Sequence, residues 1–524
     1  MVVEDGRRRH HHAGRGVGRR PRRLHRRQRH RTHHPLGRPR VGLDHLGADR
    51  CGLPRDPHHR LHPQAGSELV VRPGHRRLHG RRRERLPERA GLMEHADLSA
   101  DVARNLTLGL PVVLAAAVWR LRSTGPGIDP RRMSAAFLGF LLAWTGVLAV
   151  QQVAGAWWTF GSAPTTFLGM PLETSIGWAL VWGALPALIG GRWPIWLLGF
   201  AWVDRLTMPA LPDLVTLHER WWVGELVLLG VVALPALLLS EHTRRRTHLH
   251  LRTTLQLAAF GGLVIWLLPT LAFSRGDGSW ATLLGHGLVV RSLLLMAAVA
   301  VAVPAIAAVA ELTRVGRGTP FPWDPPERLV TTGPYAYLAN PMQLGGSLLL
   351  ALVGVGAGSW TTVAGAGIAV VFSVAVAERH EREVLAVRWP EWAAYRSQVR
   401  AWLPRWRPYV AEPATLWVSA TCDLCSTAGD SLKRLGPRGL VFRPAEDAGV
   451  ALIRMRWTGS GYVDRGVAAY ARALEHANLA TAWVGWLVRL PILSTFVQVV
   501  ADASGAGPRT ARWTDRERTQ VSAR

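Results

Sequence analysis

The sequence predicts an all-α polytopic membrane protein of about nine transmembrane helices, followed by a small C-terminal α/β domain. Three observations carry that prediction. Apolar runs follow one another from Asn105 to Ala377, and several approach the ~20 residues that a helix needs to cross a ~30 Å hydrocarbon core. Arginines collect in alternate connections between those runs, as the positive-inside rule requires. After Pro413 the long runs give way to short strand-like and helix-like segments around a single C-x-x-C pair.

The first 92 residues stand apart. The chain of 524 residues has a formal net charge of +27. Residues 1–92 hold 25 Arg against 8 Asp plus Glu, a net of +17, which leaves +10 (27 − 17) for the rest. Runs such as Arg7-Arg8-Arg9-His10-His11-His12 show no hydrophobic period and cannot bury enough apolar surface to offset chain entropy. This Arg/His-rich segment therefore reads as disordered. It is either a mis-assigned start, with Met93 opening the protein, or a basic arm. No aromatic residue interleaves with its arginines, so bases would find no stacking platform, and a nucleic-acid partner is not expected. No apolar h-region follows the charges, which excludes a signal peptide.

The membrane scaffold is expected over 93–313, with spans at 105–121, 134–154, 175–191, 193–211, 222–240, 254–273 and 281–312; two more follow at 342–357 and 360–377. Arg120, Arg122, Arg131 and Arg132 crowd the first connection, and Arg244, Arg245, Arg246 and Arg252 the fifth. Arg314, Arg317 and Arg328 follow the seventh run, whereas 155–174 has neither Arg nor Lys. This alternation predicts a bacterial-type plasma-membrane protein with its C-terminus in the cytoplasm. Asp204, Arg205, Glu225, His286 and Arg291 are ionisable residues within spans and are expected to face protein or water. The first three read most simply as interfacial. Arg291, deeper in its run, is the candidate contact for an anionic acceptor.

A second unit is expected at 314–410. Gly318 to Arg328 contains four prolines and cannot be an ordinary helix. It leads into Leu329-Val-Thr-Thr-Gly-Pro-Tyr-Ala-Tyr-Leu-Ala-Asn-Pro-Met-Gln343. Gly333-Pro334 signals a turn, and Asn340-Pro341 a helix start with Asn340 at the N-cap. Two apolar runs separated by Gly356–Ser359 form a tight hairpin. An acidic helix with Glu378, Glu381 and Glu383 follows, then Trp392-Ala-Ala-Tyr395-Arg396 and a basic, aromatic tail to Pro408. Taken alone, the glutamates read as a solvated face paired with Arg379 and Arg382.

This stretch, about Gly318 to Pro408, resembles the isoprenylcysteine carboxyl methyltransferase and phospholipid methyltransferase superfamily. That family joins a Gly-Pro-Tyr-x-Tyr-x-Arg-His/Asn-Pro element to a helical hairpin, an acidic helix and a Tyr-containing tail. Ala339 and Gln343 stand where the family usually has Arg and Tyr. The resemblance implies S-adenosyl-L-methionine as methyl donor, with Gly333, Pro334, Tyr335, Tyr337, Asn340 and Pro341 walling its pocket. It further implies that Glu381 contacts the donor and that Tyr395 and Arg396 belong to the same site. A carboxylate beside a sulfonium cation is physically apt, and most of the rate of an in-line methyl transfer comes from alignment and exclusion of water.

The last unit is expected at 411–510, with 511–524 a disordered tail. Leu416–Val418 reads as a strand, Cys422-Asp-Leu-Cys425 opens a helix to Leu435, Leu440–Phe442 reads as the next strand, and 468–501 is largely helical. Strand, C-x-x-C, helix, strand is the opening of a thioredoxin-like redox domain. A helix N-terminus favours a thiolate at Cys422, with Cys425 as the resolving thiol. Two cysteines do not complete a zinc site, so no metal is expected. The segment resembles the DCC-type thiol–disulfide oxidoreductase family, although Ser419-Ala-Thr421 replaces that family's Asp-Gly-Asp. The run Leu487–Val500, interrupted by Pro491, reads as packing or membrane-surface contact.

Together these features predict a membrane methyltransferase acting on a lipid-like or isoprenoid-linked acceptor in the bilayer and fused to a thiol–disulfide domain. The alternatives are a membrane-anchored thiol–disulfide oxidoreductase whose methyltransferase-like part binds a lipid or quinone, and a non-catalytic scaffold.

Overall fold

The computed structural model describes residues 88–123, 129–321, 324, 326–380, 383, 385–448 and 452–507. Residues 1–87 and 508–524, which hold most of the Arg/His-rich segment and the expected tail, lie outside the described residues.

The long apolar runs do become helices. These are α1 (Glu88–Ser123), α2 (Pro130–Gln151), α3 (Leu172–Ile189), α4 (Trp193–Thr207), α5 (Trp221–Arg245), α6 (Leu249–Phe273), α7 (Trp280–Gly285), α8 (Leu288–Arg314), α9 (Pro341–Ala357) and α10 (Trp360–His380). Six stretches among the described residues are long and apolar enough to cross a membrane: Asp101–Leu121 of α1, together with α2, α3, α5, α6 and α8. The chain is therefore a helical integral membrane protein. The expected spans at 193–211, 342–357 and 360–377 also lie on helices, but α4 has 15 residues and α9 has 17, and the apolar part of α10 ends at Ala375.

The run 281–312 differs from its expectation as one long span. It breaks at His286 and Gly287, whose backbones are extended, into the short α7 and the long α8. His286 Nε2 donates to Gly356 O at 2.7 Å, tying the break to the end of α9. The flanking Gly285 and Gly287 are the signal for it.

Three spans share a local device. The segments Leu180–Ala184 in α3, Leu228–Ala233 in α5 and Gly262–Leu267 in α6 widen into π turns just before Pro186, Pro235 and Pro269. Proline has no N–H and its ring crowds the carbonyl four residues back; the wider turn makes room for both. In α3 and α5 the proline lies in the same pentapeptide, Ala-Leu-Pro-Ala-Leu, at 184–188 and 233–237.

The first core forms around α2. Its apolar residues Ala143, Val147 and Trp158 meet Trp182, Phe200, Leu228, Val232 and Ala236, all nearly inaccessible. At the centre α2 and α3 touch backbone to backbone: a Cβ on Gly183 would lie 2.2 Å from Gly139 C. Small residues allow this approach, which gains dispersion contact where the hydrophobic effect between helices is weak. Beyond α2, β1 (Trp158–Phe160) pairs antiparallel with β4 (Val215–Leu217), and β2 (Thr166–Phe167) with β3 (Met170–Pro171). At the other end of α2, Arg132 donates to Leu188 O at 3.0 Å and Arg244 to Gly191 O at 2.9 Å. Arginines of two alternate connections thus gather at one end of the bundle, Arg132 on a terminal carbonyl of α3 and Arg244 on the loop that follows it.

After the hairpin α9–α10, helix α11 (Trp392–Gln398) leads to a four-stranded sheet. Its order is β6–β5–β7–β8. Strand β5 (Ala414–Val418) runs parallel to β6 (Leu440–Pro444), and α12 (Asp423–Arg434) connects them. Strand β7 (Arg456–Gly459) is antiparallel to β5, and β8 (Tyr462–Arg465) to β7. Leu416, Leu432, Trp457, Ala469 and Ala473 form the core of this unit. Ser460 and Gly461, both with positive φ, close the β7–β8 hairpin, the geometry of a type I′ turn. This hairpin is absent from the sequence-based expectation. Helices α13 (Val467–Leu474), α14 (Leu479–Val488) and α15 (Pro491–Ala501) follow, and the chain bends by 87° between the last two. Helix α14 packs on α8: Trp486 meets Val303 and Tyr337, and Trp483 Nε1 donates to Ala300 O at 3.0 Å.

Candidate functional site

The turn after α8 is built by close approaches. Gly333 has φ +62, and a Cβ there would lie 3.0 Å from the Glu311 carboxyl group. Only glycine meets both demands, so Gly333-Pro334 starts a 3₁₀ turn through Ala336. Pro341 then opens α9, with Asn340 at the N-cap position. The expected capping hydrogen bond to the asparagine side chain is not made.

The tail folds back onto this turn. Ala339 N donates to Arg400 O at 3.0 Å, Asn340 N to Ala401 O at 3.3 Å, Arg405 N to Tyr337 O at 3.0 Å and Tyr409 N to Ala336 O at 2.8 Å. The buried Tyr395 hydroxyl donates to Tyr335 O at 2.8 Å. Gly333, Pro334, Tyr335, Tyr337, Asn340, Pro341 and Tyr395, predicted as one site, are thus brought together at the two ends of the α9–α10 hairpin. Arg396 lies beside them and donates to Val399 O. Tyr335 and Tyr337 are buried, and burial first, then Glu311 and Glu475 respectively, push both phenols above their usual range. Both are neutral; the Tyr337 hydroxyl donates to Glu475 O, whereas the buried Tyr335 hydroxyl has no hydrogen-bond partner among the described residues. Glu381 lies outside the described residues. Arg291 is not part of this assembly: it is exposed in the first turn of α8, about 30 Å along the helix from Glu311.

Behind the turn lies a charged network that sequence reasoning missed. Glu311, near the end of α8, is bound by Arg472 at 2.7 Å and Arg489 at 3.3 Å and accepts from the Thr332 hydroxyl. Arg472 also reaches Asp464 at 3.1 Å and Glu475 at 3.4 Å, and Arg489 pairs with Glu475. All five side chains are at most 7 % exposed. The Arg472 guanidinium lies 5.0 Å from the centre of the Trp457 ring, a cation–π arrangement. Burial alone would lower Arg472, but Glu311, Glu475 and Asp464 outweigh it and hold the guanidinium charged. With three carboxyls facing two guanidiniums, Glu475 is the carboxyl that burial pushes upward. Tyr337 joins the network by donating to Glu475 O at 2.7 Å. A cavity of only about 40 Å³ remains between the turn and the sheet, lined in part by Thr332, Gly333, Tyr409 and His476. The one sequence signal was Glu311 itself, an acid inside the end of an apolar run.

The C-x-x-C pair occupies the expected local frame. Cys422 is the N-cap residue of α12 and Cys425 lies one turn on, both half-buried. The preceding loop lacks the acids of the family pattern, but Glu446, after β6, comes to it. Its carboxylate accepts from Ser419 Oγ at 2.7 Å, Ala420 N at 3.1 Å and Thr421 Oγ1 at 3.2 Å. Burial opposes its charge, yet these hydrogen bonds hold its pKa below the usual carboxyl value and keep it ionised.

Of the remaining ionisable residues, Asp204 and Glu225 are buried and interact with each other; they are not solvated interfacial groups. Arg205 lies over the Trp221 ring at 5.7 Å. No family model, no curated protein and no solved structure matches this chain.

Proposed function

We propose that this chain is an integral-membrane S-adenosyl-L-methionine-dependent methyltransferase acting on a lipid-like or isoprenoid-linked acceptor, and that it carries a thiol–disulfide domain on the cytoplasmic side. The observation that supports this reading is the joining of Gly333–Pro341 to the tail Tyr395–Tyr409 at both ends of the α9–α10 hairpin. The resemblance predicts this convergence of turn and tail. The bound donor would supply an electrophilic methyl group on a sulfonium. The cavity behind the turn is too small for a nucleoside of that size, so the reading does not place the donor there and keeps Glu381 as its acidic contact. In this reading the chain's own residues orient the acceptor and exclude water, while the Tyr395–Tyr335 hydrogen bond fixes the wall of the site. The nine-span topology with a cytoplasmic C-terminus belongs to the same proposal and is favoured by the clustering of Arg132 and Arg244 at one end of the bundle.

Binding of radiolabelled S-adenosyl-L-methionine to the detergent-purified chain tests the reading. Saturable binding, lost in Glu381→Ala while the thermal melt is retained, is the expected result. Absence of saturable binding, or binding indifferent to that substitution, would sink it.

A second activity is favoured by a separate observation. Cys422 caps α12 in a β5–α12–β6 unit whose sheet order, β6–β5–β7–β8, is that of thioredoxin-like domains. Here the Cys422 thiolate attacks a substrate disulfide and forms a mixed disulfide. Cys425 then releases the substrate as a dithiol, leaving a Cys422–Cys425 disulfide. Trapping of the mixed disulfide in Cys425→Ser but not in Cys422→Ser is the expected outcome; equal trapping in both variants argues against it.

A further inference from the structure

The largest cavity among those found near the end of α8 has no part in either reading above. It measures about 560 Å³ and lies where α6 begins and α8 ends. Four arginines line it, Arg246, Arg252, Arg314 and Arg317, against two acids, Asp324 and Glu327. The lining therefore carries a formal +2 (4 − 2), with His250 counted as neutral. Arg252 is only 3 % exposed; it pairs with Asp324 through one end while its buried Nε has no hydrogen-bond partner. Arg314 and Arg317 have no ion-pair partner among the described residues. Arg246 and Arg317 both hold a left-handed backbone, with φ 53 and 54, a conformation that costs free energy in non-glycine residues and collects at binding sites.

A second cavity of about 180 Å³ continues from the first and shares His250, Thr313 and Arg314 with it. It runs between α6 and α8 along Leu257, Ile306 and Ala310, and α14–α15 cover it with Trp486 and Leu490. From Arg314 back to Ile306 is about 12 Å of helix, directed into the membrane-crossing part of α8. The Thr313 hydroxyl donates to Thr253 at 3.2 Å and marks the joint between basin and groove. Below it the lining is apolar apart from Thr254 and Arg489, and the Arg489 guanidinium is engaged by Glu475 and Glu311.

We infer that basin and groove together hold one anionic glycerophospholipid, its phosphate among Arg252, Arg314 and Arg317 and an acyl chain in the groove between α6 and α8. Charge complementarity selects an anionic head over a zwitterionic one. The groove selects an amphiphile over a soluble anion. Helix α15 presents Ile492, Phe496 and Val499 outward, 88 %, 63 % and 62 % exposed, at the spacing of a helix lying along a membrane surface. That places the mouth of the basin at headgroup level. The site needs no methyl donor, so its existence does not rest on the proposed methyl transfer.

Native mass spectrometry of the full chain, released from nanodiscs of mixed phosphatidylglycerol and phosphatidylcholine, tests the inference without any donor present. One phosphatidylglycerol should be retained at least tenfold in preference to phosphatidylcholine. Arg314→Gln combined with Arg317→Asn should abolish that preference; Asn keeps the left-handed backbone at 317, and the exposed single substitution Arg317→Asn should reduce it severalfold without lowering the melting temperature. Ala310→Trp, which fills the groove, should displace the lipid but leave inorganic phosphate able to raise the melting temperature. Equal retention of both lipids, or a preference unchanged in the arginine variants, overturns the inference. Full displacement of the lipid by millimolar inorganic phosphate, with Ala310→Trp silent, overturns it in favour of a free-anion site.

Discussion

The two best-packed places in this protein are held together by opposite means. Around α2 the helices meet through glycine, alanine and aromatic carbon, and Gly139 lies backbone to backbone against Gly183. At the end of α8 the contact between the helices and the C-terminal sheet is made by five buried charged side chains around Glu311. Within the helical core, burying an unpaired charge would cost several kcal/mol, and apart from the facing pair Asp204 and Glu225 the contacts are mainly apolar. At the junction, apolar packing by Trp486 and Tyr337 supplies the attraction, and the ion network sets the register, because its members come from separate elements and meet only in the native arrangement. Specificity is thus carried by shape in one region and by charge in the other.

The largest expected effect breaks the second region alone. Glu311→Ala removes one of the three carboxyls that Arg472 and Arg489 share, leaving them to Glu475 and Asp464, and should cost about 3–5 kcal/mol. It should show as early proteolysis between Pro408 and Ala414 and a lowered melting temperature of the sheet, with the α2 core intact. Simultaneous loss of the α2 core would show that the two regions form one cooperative unit. Gly183→Ala attacks the first region: its Cβ has no room against Gly139, and the cost should be about 1–3 kcal/mol, read by thermal denaturation in detergent with the junction's protease resistance unchanged.

A pH titration sharpens the contrast further. Burial lowers His476 to about 4; Trp457 Nε1 donates to its Nε2 at 3.2 Å and its Nδ1 donates to Arg438 O at 2.9 Å. The folded state thus binds the proton less readily than the unfolded state, whose histidine titrates near 6.5. Stability of the sheet should be fully present above pH ~6.5 and fall by about 1–3 kcal/mol as pH drops toward 4. The lower end of that range is expected because the residue is only partly covered and water screens the added charge. His476→Gln should flatten the dependence. The smallest effect is expected from Tyr395→Phe, which removes one hydrogen bond to Tyr335 O and should cost about 1 kcal/mol, measured as a small drop in melting temperature.

Helices and the local frame of the cysteines were legible in the sequence because both depend on near neighbours. Apolar runs of about 20 residues and the strand–Cys422–helix order are local patterns, and the structure has them where the residues place them. The turn at Gly333-Pro334 was legible for the same reason. What was not legible depends on distant pairs. Nothing in the run around Glu311 announces Arg472, and Glu446 shows no relation to Ser419 until β6 folds beside β5. Arg291 lies near the start of α8 and exposed, not deep in a span, because the run breaks at His286 and Gly287, a break its apolar composition does not announce. The β7–β8 hairpin had a local signal, Gly459-Ser460-Gly461, between two short alternating segments, and arginines within them masked it.

The separation between Glu311 and Arg472 has a consequence in time. The two lie 161 positions apart, and a ribosome adding ~5–20 residues per second needs roughly 8–30 s to bridge that gap. For that interval α8 is already inserted while neither cation that neutralises its glutamate has been synthesised. The newborn chain must hold Glu311 at the watery rim, or keep it protonated, until Arg472 and Arg489 emerge. Completion of the C-terminal sheet is therefore the event that seals α8 in its final depth, and a chain truncated before Arg472 leaves that helix without its anchor.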